Sequence, residues 1–165
     1  MGWLINTHDR GYRYSNAEIR KYFESRFNSV KILHLSVYGF SEVYMACEHP
    51  CRPGEVFAVV CLIRNTKKEF GYKDMSEDMG PYCYNAPKKI LDLLTPIDSK
   101  YANEWRAECR LRMDKLRRLR KGEIFTYGLA RYKPVKVTRS TVIVDELNTR
   151  LRYRVPTARI FDQME

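Results

Sequence analysis

Apolar positions organise the chain most clearly between residues 95 and 121. Trp105, Cys109, Met113, Leu116 and Leu119 recur at spacings of four, four, three and three, which makes one greasy stripe on a helix. Thr95 reads as its N-cap, Pro96 as its first position and Asp98 as its capping carboxylate, so the pattern predicts a helix over Thr95–Lys121. Gly122 follows as the stop. An earlier helix is predicted from Ser15, with Glu18 as capping-box partner and Ile19, Tyr22, Phe23 and Phe27 as its buried stripe. Trp3–Ile5 reads as a short first strand.

The segment Val30–Tyr38 alternates with period two. Lys31, Leu33, Leu35 and Val37 are expected on one face, and Val30, Ile32, His34 and Ser36 on the other. Val43–Cys47 returns after a turn at Gly39–Ser41. Val56–Ile63 is an unbroken apolar run, as a strand covered on both faces would be. Asn85 is expected to cap a short helix running through Pro87 to about Leu94. Phe70–Tyr84 has no period and combines acids, aromatics and glycines, which marks a functional or mobile loop.

After Gly122 the pattern shortens to β-like runs: Ile124-Phe125, Val135–Thr138, Val142–Val144 and Leu151–Val155. Asn148 falls in a tight connection, and Pro156 leads into a turn over Thr157–Ile160. This succession resembles the small SH3-like barrels of translation factors and other nucleic-acid-associated proteins. The expected fold is therefore α+β: an antiparallel sheet with flanking helices, a long basic helix, and a small SH3-like β-barrel. The expected domains are 1–94, a connecting helix 95–121, and 122–165.

Charge sharpens this picture. The 165 residues carry a net charge of +10. Residues 101–165 hold 16 Lys and Arg against 8 acids, and residues 1–100 hold 14 against 12. A basic C-terminal half suits a polyanionic partner, although a merely solvated basic surface would read the same way. Arg106, Arg110, Lys115, Arg117, Arg118, Arg120 and Lys121 are the candidate contacts on the helix. Arg139, Arg150, Arg152, Arg154 and Arg159 are expected to extend the patch, and Tyr127, Tyr132 and Tyr153 to stack on exposed bases. No apolar run reaches the ~18 residues of a membrane span. Five irregularly spaced cysteines and the lack of a signal segment point to the reducing cytoplasm.

Other chemistry is sparse. Cys47-Glu48-His49-Pro50-Cys51, with Cys61 or His34, offers thiols and imidazoles, but the spacing matches no paired zinc knuckle, and buried reduced thiols fit better. His8-Asp9-Arg10 follows the first strand and reads as surface. Asp74, Glu77 and Asp78 form an alternative acidic site, suited to a divalent cation in a nuclease or hydrolase, or to pairing with the basic helix. No G-x-S-x-G, P-loop or dinucleotide fingerprint occurs, so no catalytic residue, cofactor or resident metal is assigned.

The wording of Phe70-Gly71-Tyr72-Lys73-Asp74-Met75-Ser76-Glu77-Asp78-Met79-Gly80-Pro81, then Lys89–Pro96 and Trp105-Arg106, resembles an uncharacterised family of small proteins carried by plasmids, phages and integrative elements of gut bacteria. The resemblance implies a non-enzymatic accessory protein of a mobile element. Its partner would be DNA, RNA or a nucleoprotein such as a CRISPR effector, which it would inhibit by occupying a nucleic-acid surface. A protein-binding adaptor is the third class that the charge pattern admits.

Overall fold

The computed structural model describes residues 17, 20–21, 24–25, 30–39, 41–64, 67–77 and 80–164. The predicted first strand, His8-Asp9-Arg10, most of the first helix, and Asp78 lie outside them. The chain divides into two compact units, Met1–Cys109 and Arg110–Glu165. Each carries one four-stranded antiparallel sheet with its strands in sequence order. Mixed α+β architecture with antiparallel sheets is therefore observed.

In the first unit the strands are β1 (Lys31–Tyr38), β2 (Glu42–Glu48), β3 (Val56–Arg64) and β4 (Lys67–Tyr72). Ile32, Leu35, Val43, Met45, Cys47, Phe57, Val59, Cys61 and Ile63 pack together on one face. The strict alternation expected for β1 fails at Leu33. Ile32 pairs with Cys47 but His34 pairs with Ala46, so Leu33 is an extra residue in a bulge. The bulge brings Ile32 and Leu35 to the same face, opposite Cys47 and Met45, where uninterrupted pleating would separate them.

On the other face lie Tyr44, Ala46, Ala58 and Val60, all at most 1% exposed. Helix α1 (Lys88–Leu93) packs across β1, β2 and β3 and buries Ile90 and Leu91. Asn85 does not cap this helix. Pro87 holds the N-cap position without a side-chain bond, and Asn85 Nδ2 reaches the Glu42 carboxylate at 3.1 and 3.3 Å. The Tyr44 hydroxyl donates to Glu42 and accepts from Asn85 N at 2.9 Å. Burial, with Glu42 next, pushes the Tyr44 phenol far above its usual range. This part-buried network clamps the chain as it enters α1.

Strand β4 was not legible as a strand, because its sequence KKEFGY is largely polar and carries a glycine next to its end. Register explains it: Phe70 pairs with Cys61 and Gly71 with Val60. At Gly71 a Cβ would lie 2.2 Å from the Gly80 carbonyl oxygen, so only glycine lets the following loop fold back onto the strand.

Helix α2 spans Lys100–Arg120. It starts five residues later than Thr95. Thr95 instead extends the sheet: its N–H donates to Val56 O (2.9 Å), while its Oγ1 accepts from Val56 N (2.8 Å) and donates to Gly54 O (3.1 Å). Ser99 is the N-cap, accepting from Ala102 N at 3.3 Å and donating to Met75 O at 2.7 Å. The predicted stop is observed. Gly122 has φ +85°, its N–H bonds Leu119 O at 2.9 Å, and Glu123 N bonds Arg118 O at 3.2 Å, which is a Schellman ending.

The second unit contains β5 (Phe125–Tyr127), β6 (Ala130–Val137), β7 (Thr141–Glu146) and β8 (Arg152–Pro156). It is an open sheet in the order β5-β6-β7-β8, with no β5–β8 pairing among the described residues, where a closed barrel was expected. The predicted turn after Pro156 is a short helix, α3 (Thr157–Phe161). Thr157 fixes its start, donating from N to Ser140 O (3.0 Å) and from Oγ1 to Thr138 O (3.3 Å). Leu119, Phe125, Val142, Val144, Ile160, Phe161 and Met164 form the core, with Leu116 against it. The last turns of α2 and helix α3 thus cover one face of the sheet.

Candidate functional site

The second unit holds fifteen Lys and Arg against six acids, a net of +9 of the chain's +10. Strand register decides where these charges point. Val137, Val142 and Val155 form one cross-strand row, and Pro134, Val144 and Tyr153 another, on the core side. On the opposite side Lys133, Asp145 and Arg152 share a row, as do Lys136, Ile143 and Arg154, with Arg131 beside Thr126. A bulge at Val135 keeps Lys136 on the same side as Lys133. The outer face therefore presents five exposed cations, Arg131, Lys133, Lys136, Arg152 and Arg154, against the single acid Asp145. Neighbouring strands lie about 4.8 Å apart, so this is one compact basic surface.

Asp145 is half-buried and receives two hydrogen bonds from Arg152, from Nε at 2.8 Å and Nη2 at 3.1 Å. The Arg152 bond, and then its charge and that of Lys133, hold the Asp145 carboxyl below its usual range. The other four cations of the face have no ion-pair partner among the described residues.

The helix cations are differently placed. Arg106 is half-buried, and its Nη1 donates to Thr95 O at 2.7 Å within the first unit. Lys115 Nζ donates to Phe161 O at 2.9 Å, and Arg112 lies 6.0 Å from the Phe161 ring. Arg117 pairs with Asp114, and Arg118 Nη2 pairs with Glu123 at 2.8 Å. Arg110, Arg120 and Lys121 are exposed. Because Leu116 and Leu119 pack on the inner face of the sheet, the helix cations of the second unit and the outer-face cations lie on opposite sides of a two-layer unit. The single merged patch expected from the sequence is thus two surfaces. Arg139 sits half-buried in the β6–β7 turn.

The tyrosines separate from the charges as well. Tyr132 stacks on Phe125 at 5.7 Å and meets Tyr153 edge-on at 6.2 Å. Tyr127 shares their side of the sheet by strand parity. Tyr127 and Tyr153 remain 44% and 41% exposed, so this is an aromatic rim on the inner side, away from Arg152 and Arg154. Burial first, then Glu146, raises the Tyr132 phenol pKa.

The acidic stretch does not converge. Asp74 is half-buried near Cys47 and Tyr72, and contributes to raising the pKa of each. Glu77 is exposed and lines a cleft described below. Among the described residues no three His, Cys, Asp or Glu side chains gather as a metal site. Cys47 is in the core, its thiol pushed up to about 12 by burial. His49 stacks on Phe57 at 4.7 Å, and Cys51 is exposed. Among the described residues no helix is long and apolar enough to cross a membrane.

The sequence reading missed Arg131, Lys133 and Lys136. Their signal was present as the alternation Arg131-x-Lys133 in a strand whose Tyr132 and Pro134 turn inward. It also missed the cleft of about 320 Å³ in the first unit, walled by the end of β4, the loop after it and the first turns of α2. Comparison with protein-family models, with curated proteins and with solved structures found no match.

Proposed function

We propose that the second unit is a small β-module, SH3-like in its run of short antiparallel strands, that binds the phosphate backbone of a nucleic acid through the outer face of its sheet. The observation that carries this reading is the row structure of that face: five exposed cations with one acid between them. Phosphates accept hydrogen bonds from Lys and Arg and release counterions on contact, so such a face binds with salt-dependent and largely sequence-independent affinity. The proposed activity is binding rather than catalysis, through charge-assisted hydrogen bonds from this face to phosphate. Occupation of a nucleic-acid site on a guide-RNA effector is the form of this activity that the family resemblance implies.

The test is fluorescence anisotropy of labelled DNA and RNA over a salt titration. Lys133→Glu with Arg154→Glu is compared with Arg117→Glu with Arg120→Glu. The sheet pair is expected to lower the magnitude of the salt slope by about two, with the helix pair changing it less. Affinity that ignores salt, or that falls only with the helix pair, overturns the reading.

A further inference from the structure

The cleft of the first unit has a chemistry of its own. Its walls are the rings of Tyr72 at the end of β4, Tyr82 and Tyr84 in the loop, and Tyr101 and Trp105 on α2. Its acids are Glu77, Glu104 and Glu108, set against Lys73 and against Lys100, which pairs with Glu104 at 3.8 Å. Carboxylates beside aromatic faces are the reverse of the row of cations on the second sheet, and they suit a cation better than a phosphate. Ring faces carry negative potential and attract cations lying within about 6 Å of the centroid.

The protein already uses these rings in that way. Lys73 Nζ lies 5.9 Å from the Tyr82 centroid, and Lys100 Nζ lies 6.0 Å from that of Tyr101. Lys73 is 6% exposed and donates to Pro81 O at 2.9 Å, so its ammonium is part of the wall. Trp105 spends its indole N–H on Cys83 O at 2.7 Å, which fixes the ring and leaves its π-system for packing. Tyr82 and Tyr101 are 66% and 40% exposed, and Glu77 and Glu104 are exposed too, so a ligand can meet all four.

We propose that this cleft binds an organic cation, an alkylammonium or guanidinium group, with its hydrocarbon against the tyrosines and its charge toward the glutamates. A hard metal ion would need converging oxygens, and among the described residues no such group of three exists. A weakly hydrated organic cation gives up less water and gains more from ring faces. The volume suits a group of side-chain size, near the lower end of small-ligand pockets.

The experiment titrates the full chain with choline and with 3,3-dimethylbutan-1-ol, its neutral isostere, following tryptophan fluorescence and amide NMR shifts. Choline is expected to bind at least about tenfold more tightly than the alcohol. Tyr82→Leu should weaken choline about threefold while Tyr82→Phe keeps it. Glu104→Gln should weaken it less, and increasingly little at high salt. Tyr82 is exposed, so its variants are expected to fold, which circular dichroism checks. A short peptide carrying trimethyllysine then identifies the source: tighter binding than choline assigns a protein side chain, and equal or weaker binding assigns a free small-molecule ammonium. Equal binding of choline and the alcohol, no shift with choline, or indifference to Tyr82→Leu overturns the proposal. Nucleic-acid binding by the second sheet is measured on the same variants and should not change, so failure of either idea is read separately.

Discussion

The two sheets of this protein share one topology, a four-stranded antiparallel meander, and use it in opposite ways. In the first, β2 is buried almost end to end, because one face carries the Met45 cluster and α1 covers the other. In the second, β7 alternates: Val142 and Val144 are buried at 0% and 1%, while Thr141, Ile143 and Asp145 are only half-buried. One unit holds its charges in near balance, fifteen cations against fourteen acids, and the other holds nearly all of the net +10. A face that is not needed for a core is free to carry function, and this chain places its cations there. The fully covered sheet leaves its open chemistry to the rim, at the cleft beside β4.

The largest effect that tests this contrast is on stability. Met45→Ala removes a side chain 1% exposed in the central strand of the first sheet, and should cost about 2–5 kcal/mol. Ile143→Ala, on the outer face of the second sheet, should cost under about 1.5 kcal/mol, because little covers it. Urea titration of both, with far-UV circular dichroism as the probe, separates the two. Equal losses would mean that the outer face is covered in solution and is not the open surface described.

A smaller effect tests the polar lock of the first unit. Tyr44→Phe leaves the ring packed but removes the hydroxyl that joins Glu42 to Asn85. About 1–3 kcal/mol should be lost, since a half-buried acceptor and a half-buried N–H are left without that partner. Protection of the Asn85 amide in hydrogen exchange should fall with it. Unchanged protection would show that the clamp before α1 does not depend on Tyr44.

The smallest effect is a pH dependence confined to the first sheet. Burial, then Lys89 on α1 and Arg20, lowers the His34 pKa from its usual 6.5. The unfolded chain therefore takes up the proton before the folded chain does. Stability is full above about 6.5 and falls as pH drops through the window below it. His34→Gln should flatten that part of the profile measured by thermal unfolding between pH 7 and 5, leaving the behaviour of the second sheet as it was. A slope identical to that of the wild type would assign the proton uptake elsewhere.

Sequence and structure agree where the pattern depends on neighbours close along the chain. The apolar run of β3, the stripe Trp105–Leu119 and the glycine that ends α2 were all legible, because periodicity and a left-handed cap are local properties. The excess of cations after residue 109 was legible as well. Misreadings arose where two candidates competed and a distant partner chose between them. Thr95 read as the cap, but Val56 and Gly54 claimed it for the sheet and Ser99 caps the helix instead. Asn85 read as a cap until the Glu42 carboxylate took its amide. The polar β4 became a strand only through its pairing with β3.

The candidate sites divide along the same line. By itself the sequence determined that the C-terminal region is basic, that it is built of short strands, and that aromatic and acidic residues crowd the stretch around Glu77. Which cations share a face was decided only by tertiary structure, because strand register and the bulge at Val135 set the parity of every side chain after it. The same holds for the engagement of Arg106 and Lys115 by backbone carbonyls of Thr95 and Phe161, eleven and 46 residues away. The cleft is the fullest case. Tyr72, Tyr82 and Trp105 belong to a strand, a loop and a helix, and the close approach of Gly71 to Gly80 folds the loop back onto its strand.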